Sequence, residues 1–170
     1  LDPSLPGGVS GTLLQAGQCF MVDMGGNFYG YMGDMSRVFS IGKLPEQAYA
    51  AHQTCLETQE EIVAMAKPGT VCEDMYNKAI EIVTKAGFAD YFMGVDQKAK
   101  FIGHGIGLEI NEMPVLAPRM KQELEPGMVF ALEPKIVLPG IGPVGIENSW
   151  AVTTDGLEKL TLCKEEIIEL

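Results

Sequence analysis

The sequence predicts an α+β fold, a curved antiparallel sheet covered by helices, on three observations. Short runs of β-forming residues broken by glycine turns occupy residues 18–41. Two stretches of helical periodicity follow, from Pro45 to Ala66 and from Thr70 to Gly87. Further short apolar runs separated by turn residues fill the remainder. Strands grouped before and after a block of helices, rather than alternating with them, are the pattern of an α+β chain.

Taken in order, residues 1–8 read as a loop leading into a strand and lack an initiator methionine. The expectation is a single domain over residues 1–170 that begins partway through a larger one. Gln18 to Met24 is the first strand, Gly25-Gly26-Asn27 its turn, and the segment from Phe28 to Ile41 the returning strand. Pro45 opens a helix whose apolar stripe is Ala48, Ala51, Cys55, Ile62 and Ala66, with Glu57, Glu60, Glu61 and His52 on the solvated side. Lys67-Pro68-Gly69 stops it. Thr70-Val71-Cys72-Glu73 reads as a capping box for the next helix, which turns Met75, Ala79, Ile82, Val83 and Ala86 inward and ends at Gly87. The stretch around His104 reads as strand–loop–strand, and Leu124-Glu125-Pro126-Gly127 as a turn. Met128 to Glu133 and Val144 to Val152 are strands, with a last strand near Leu160.

The formal net charge of −11 argues against nucleic acid or an anionic membrane as partner. No apolar run reaches membrane-spanning length. The four cysteines lack C-x-x-C spacing and read as small buried hydrophobes in a reducing compartment, so the cytoplasm is the expected location.

Three predicted strands carry an acid among apolar residues: Asp23 after Val22, Glu133 after Leu132 and Glu147 after Ile146. An ionised carboxylate in such a setting is costly unless paired or bound to metal. Arg37 is the nearest basic residue in sequence and can serve one or two of them at most. Asp34, eleven residues after Asp23, can share a face with it across the hairpin. His104 lies between Gly103 and Gly105, where missing side chains allow close approach of backbone or ligand. Four carboxylates and one imidazole carry a charge of −4, which two divalent cations cancel. Such oxygen-rich ligation suits Mn²⁺ first, and Co²⁺, Fe²⁺ or Zn²⁺ as well, while a cysteine-type structural zinc is excluded. Two such ions roughly 3.5–4 Å apart can activate a bridging water and polarise a carbonyl, the equipment of a metallo-aminopeptidase.

These residues carry a resemblance. Asp23 and Asp34 followed by Ser36-Arg37, then Gly103-His104-Gly105-Ile106-Gly107, Leu132-Glu133-Pro134 and Ile146-Glu147, resemble the creatinase, prolidase and methionine aminopeptidase family. The flanking Lys67-Pro68-Gly69, Leu124 to Phe130 and Thr153-Thr154-Asp155-Gly156 are most similar to its Xaa-Pro peptidase branch. The resemblance implies the pita-bread fold. It also implies five metal ligands, with Asp34 and Glu147 shared by two ions, Asp23 on one, and His104 and Glu133 on the other. Glu133 would be the proton shuttle. The implied reaction is hydrolysis of the N-terminal Xaa-Pro bond of a peptide substrate by a metal-bridged hydroxide.

Several positions depart from the family pattern. Asn111 stands where a second histidine usually contacts substrate, and it can donate a hydrogen bond but not become a cation. A further family histidine is replaced within Leu5-Pro6-Gly7-Gly8. Gly145 replaces an arginine before the last ligand, Asn148 replaces an acid after it, and Lys135 replaces the glycine after Glu133-Pro134. These changes admit an alternative, a catalytically impaired member acting as a peptide- or protein-binding module. The family's opening helices are absent, so a homodimer or association with an N-terminal portion is also expected.

Overall fold

A computed structural model describes residue 11 and residues 13–170, and the loop read over residues 1–8 lies outside them. Strand β1 (Cys19–Phe28) pairs antiparallel with β2 (Tyr31–Ser40), from Cys19 opposite Ser40 to Phe28 opposite Tyr31. The turn therefore lies at Tyr29 and Gly30 rather than at Gly25-Gly26-Asn27. Both turn residues have positive φ, 51° and 89°, the hand that lets a two-residue turn follow strand twist. Asn27 supports it by accepting a hydrogen bond from Gly30 N at 3.2 Å.

Helix α1 (Glu46–Met65) buries Ala48, Ala51, Cys55 and Ile62 and exposes Glu57, Glu60 and Glu61, as its periodicity predicts. It also buries His52, contrary to the expectation of a solvated residue. The carboxy-terminal segment folds back over the helix, and the carbonyl of Glu165 lies 2.7 Å from the His52 ring Nε2. Helix α2 (Cys72–Lys85) has Val71 at its N-cap and no side-chain cap, so the predicted capping box does not form. The reason is a distant segment. The first-turn donors Cys72 N and Glu73 N are taken by the carbonyls of Gln122 and Met120, and the Glu73 carboxylate instead accepts from Arg119 N at 2.7 Å. At the far end Gly87 N bonds to Thr84 O and Phe88 N to Val83 O, a closed helix terminus. Ala86, predicted inward, is exposed there.

The later strands are β3 (Gly103–Gly105), β4 (Glu112–Val115), β5 (Val129–Leu132), β6 (Lys135–Leu138), β7 (Gly142–Gly145), β8 (Asn148–Val152), β9 (Leu157–Lys159) and β10 (Ile168–Glu169). Five form one antiparallel sheet in the order β4-β3-β5-β8-β9, and β6 with β7 makes a separate hairpin. The single strand expected from Val144 to Val152 is thus divided into β7 and β8. Between them Glu147 leaves the ladder to bridge Ser36 of β2. Strand β10 runs parallel to β2, an exception to the antiparallel expectation. A continuous core joins Ile62, Met75, Phe130, Leu132, Ile136 and Ile146 from both helices and the sheets. Three cysteines are buried free thiols as expected, whereas Cys163 is exposed. Among the described residues no helix is long and apolar enough to cross a membrane.

Candidate metal centre

The strands bring Asp34, His104 and Glu147 to one place. In β1–β2, Asp23 faces Ser36 and Asp34 faces Gly25, so the two aspartates lie diagonally on one face. His104 stands on β3 opposite Ala131, one strand from where Glu133 leaves β5. Side-chain atoms of Asp34, His104 and Glu147 all lie within 4.8 Å of one another. His104 Nε2 is 3.8 Å from Asp34 Oδ2 and 3.7 Å from Glu133 Oε1. Asp34, His104, Glu133 and Glu147 are buried, while Asp23 is exposed at the rim.

The glycines around His104 are steric requirements of this arrangement. A Cβ on Gly105 would lie 2.3 Å from Met113 O and 2.7 Å from Glu112 O. Gly105→Ala is therefore expected to part β3 from β4, lowering stability by about 1–3 kcal/mol in urea unfolding.

The groups that hold the acids come from distant parts of the chain. Ser36 Oγ donates to Glu147 Oε2 at 2.5 Å. Arg37 pairs with none of the acids. Its guanidinium donates to the carbonyls of Glu147 (2.8 Å), Ser36 (2.7 Å), Lys164 (2.6 Å) and Cys163 (3.2 Å), and to Asn148 Oδ1 (2.9 Å). Gln59 of α1 donates to Leu132 O at 2.5 Å and accepts from Asn148 Nδ2 at 2.8 Å, clamping the segments that carry Glu133 and Glu147. Ser36 enters the sequence motif only as a flanking residue with no role, and Gln59 does not stand out in the sequence as part of the site. A polar residue on the inner side of α1 is the one available signal. Lys135 reaches Glu133 Oε2 at 2.5 Å. Burial opposes its charge, but Glu133, Glu147 and Asp23 outweigh that and raise its pKa.

Asn111 is exposed and lines a cavity of about 420 Å³ together with His104, Phe101 and Met113. Asp34 borders a larger open groove of about 1060 Å³. Members of the cluster therefore line two spaces, His104 one and Asp34 the other.

Burial raises the pKa of Glu147 to about 8, helped by the charges of Glu133 and Asp34. Burial and then the charge of Asp23 raise Asp34 to about 6. In the unfolded chain Glu147 titrates in the ordinary glutamate range, at about 4.3. Between that range and about 8 the folded state binds more protons, so stability is greater at low pH and falls as pH rises. Metal-stripped protein should thus gain on the order of 2 kcal/mol between pH 8 and pH 6. Denaturant unfolding in EDTA checks this, and saturating Mn²⁺ should flatten or reverse the slope.

The donor set fits hard or borderline divalent ions. Asp34 Oδ1 is buried without a hydrogen-bond partner among the described residues. Lys135 is the one lysine or arginine in salt-bridge contact with any of the four acids among those residues, which leaves most of the negative charge uncompensated. Oxygen donors with a single imidazole match the preferences of Mn²⁺, Co²⁺, Fe²⁺ and Zn²⁺.

The Xaa-Pro dipeptidase of Pyrococcus furiosus is 32% identical over 166 residues, covering 97% of this chain and 46% of that protein. The structure of an Xaa-Pro dipeptidase from Bacillus anthracis superposes with a TM-score of 0.86 at 35% identity, covering 99% of this chain and 46% of that one. An X-Pro aminopeptidase from Thermotoga maritima superposes at 0.88 with 30% identity, over 98% and 46%. The chain spans about half the length of the curated relatives it matches. These likenesses identify the architecture as the pita-bread fold. The model of metallopeptidase family M24 matches residues 3–154, and the chain belongs to that family.

Proposed function

We infer that the chain carries the metal centre of a peptidase that hydrolyses the N-terminal Xaa-Pro bond of peptides or dipeptides. The observation that carries this reading is the convergence of Asp34, His104 and Glu147 within 4.8 Å. The unpartnered Asp34 Oδ1 adds weight to it. Asp34 and Glu147 would be shared by two metal positions, with Asp23 completing the outer one and His104 and Glu133 the inner one. Bound there, divalent ions (Mn²⁺ first among those that suit the donors) supply Lewis acidity toward a peptide carbonyl and make a water more acidic.

The chain's own residues do the rest. Ser36 fixes the orientation of Glu147 through its short hydrogen bond. Glu133 takes a proton from the attacking water and delivers it to the leaving amine. Asn111, in the cavity it shares with His104, donates a hydrogen bond to the peptide. The free thiols suit a reducing compartment, in keeping with the cytoplasm. Relatives named Xaa-Pro dipeptidase support the choice of substrate.

Hydrolysis of Xaa-Pro dipeptides by the Mn²⁺-loaded protein tests the reading. Glu133→Gln is expected to lower kcat by about 10²–10⁴-fold. Absence of turnover in metal-loaded wild-type protein would overturn it.

A further inference from the structure

Lys135 opens β6 immediately after Glu133 and Pro134, with its side chain only 17% exposed. Its ammonium lies 2.5 Å from Glu133 Oε2, while the other oxygen of Glu133 is 3.7 Å from His104 Nε2. Glu133 is thus held between the lysine and the imidazole. The opposite strand makes room for this. Lys135 pairs with Gly145 of β7, and a Cβ at Gly145 would lie 2.8 Å from both Cα and Cβ of Lys135 and 2.5 Å from Pro134 O. A side chain at residue 145 would therefore displace the stem of Lys135. Two departures from the family pattern, Lys135 and Gly145, are in this way one feature. A cation enters the cluster from β6, and its neighbour on β7 has no side chain to obstruct it.

The charge balance of the cluster limits how many cations it can hold. Asp23, Asp34, Glu133 and Glu147 bring −4, and Lys135 reduces this to −3. One divalent ion leaves −1, whereas two leave +1 and bring the second close to an ammonium that already occupies Glu133. Without the lysine two divalent ions would balance the acids. Like charges at contact distances in a partly dry site repel strongly. We propose that Lys135 is a built-in cation of the centre that competes with metal for Glu133. One ion binds tightly at the position of Asp23, Asp34 and Glu147, and the position of His104 and Glu133 fills only in competition with the lysine. The inference rests on the metal-centre reading of the proposed function. It assigns Lys135 a positioning role and a control over metal occupancy.

Calorimetric titration of metal-stripped full chain with Mn²⁺, joined to electron paramagnetic resonance, tests this without reference to activity. Wild type should show one tight site and a second at least about tenfold weaker, with a mononuclear spectrum at one equivalent. Lys135→Met should bring the second site to within a few fold of the first and give the spectrum of a coupled pair. Lys135→Arg keeps the charge and should keep the sites unequal, which separates charge from packing. Lys135→Gly, the smaller replacement, serves where methionine disturbs folding. A second site no tighter in Lys135→Met than in wild type would overturn the role of the lysine while leaving the metal centre standing. Failure of wild type and all variants to bind Mn²⁺ would overturn both.

Discussion

Metal-stripped Asp34→Asn protein is expected to take up at most one Mn²⁺ per chain, and that one weakly. Asparagine is nearly isosteric with aspartate, so the hairpin should form unchanged. What disappears is an anionic oxygen that lies buried and unpartnered beside His104 and Glu147. Because burial and the neighbouring acids oppose the charge of Asp34, the variant should be at least as stable as wild type when both lack metal. The difference appears on adding metal. Ligand that binds only the folded state at 100 times its Kd contributes about 2.7 kcal/mol. Wild type should gain stabilisation of that order from Mn²⁺ and Asp34→Asn little or none, as read from paired melting curves. Equal gains in the two proteins would mean that Asp34 is not a ligand.

Arg37→Met is expected to cost about 3–5 kcal/mol of folding stability, the range for breaking a buried charged network. The side chain is 1% exposed. It donates to four carbonyls and one side-chain amide, all of which the methionine would leave without that donor. Arg37→Lys should recover little, since an ammonium cannot reproduce the planar set of donors. One of those carbonyls belongs to Glu147, and its neighbour Asn148 also bonds to Gln59. Mn²⁺ affinity should therefore fall together with stability. A variant that melts like wild type would show that the carbonyls find other partners.

The parts of the fold legible in the sequence are those fixed by local rules. Period-3.6 spacing locates both helices, and of the acids set among apolar residues Glu147 lies in the group with Asp34 and His104, Glu133 lies beside His104, and Asp23 is exposed on the hairpin. The errors lie where distant segments intervene. The capping box fails because the carbonyls of Gln122 and Met120 reach the first turn of α2 before Thr70 can. His52 is buried by a segment more than a hundred residues later in the chain. Glycine content favours Gly25-Gly26-Asn27 as the hairpin turn, yet the ladder runs through that stretch to Tyr29 and Gly30. Gln59 is hidden for a similar reason as His52, since its partner Leu132 is 73 residues away. Lys135 is visible as a departure from a pattern, but its meaning needs the register that sets it opposite Gly145.

The central claim is that Asp23, Asp34, His104, Glu133 and Glu147 form a metal centre. Anomalous diffraction from crystals soaked in Mn²⁺, measured on both sides of the manganese absorption edge, tests it most directly. A strong peak is expected beside Asp34 and Glu147 on the side of Asp23, with a weaker second peak on the side of His104 and Glu133. Manganese bound elsewhere, with no anomalous density among those five side chains, would contradict it.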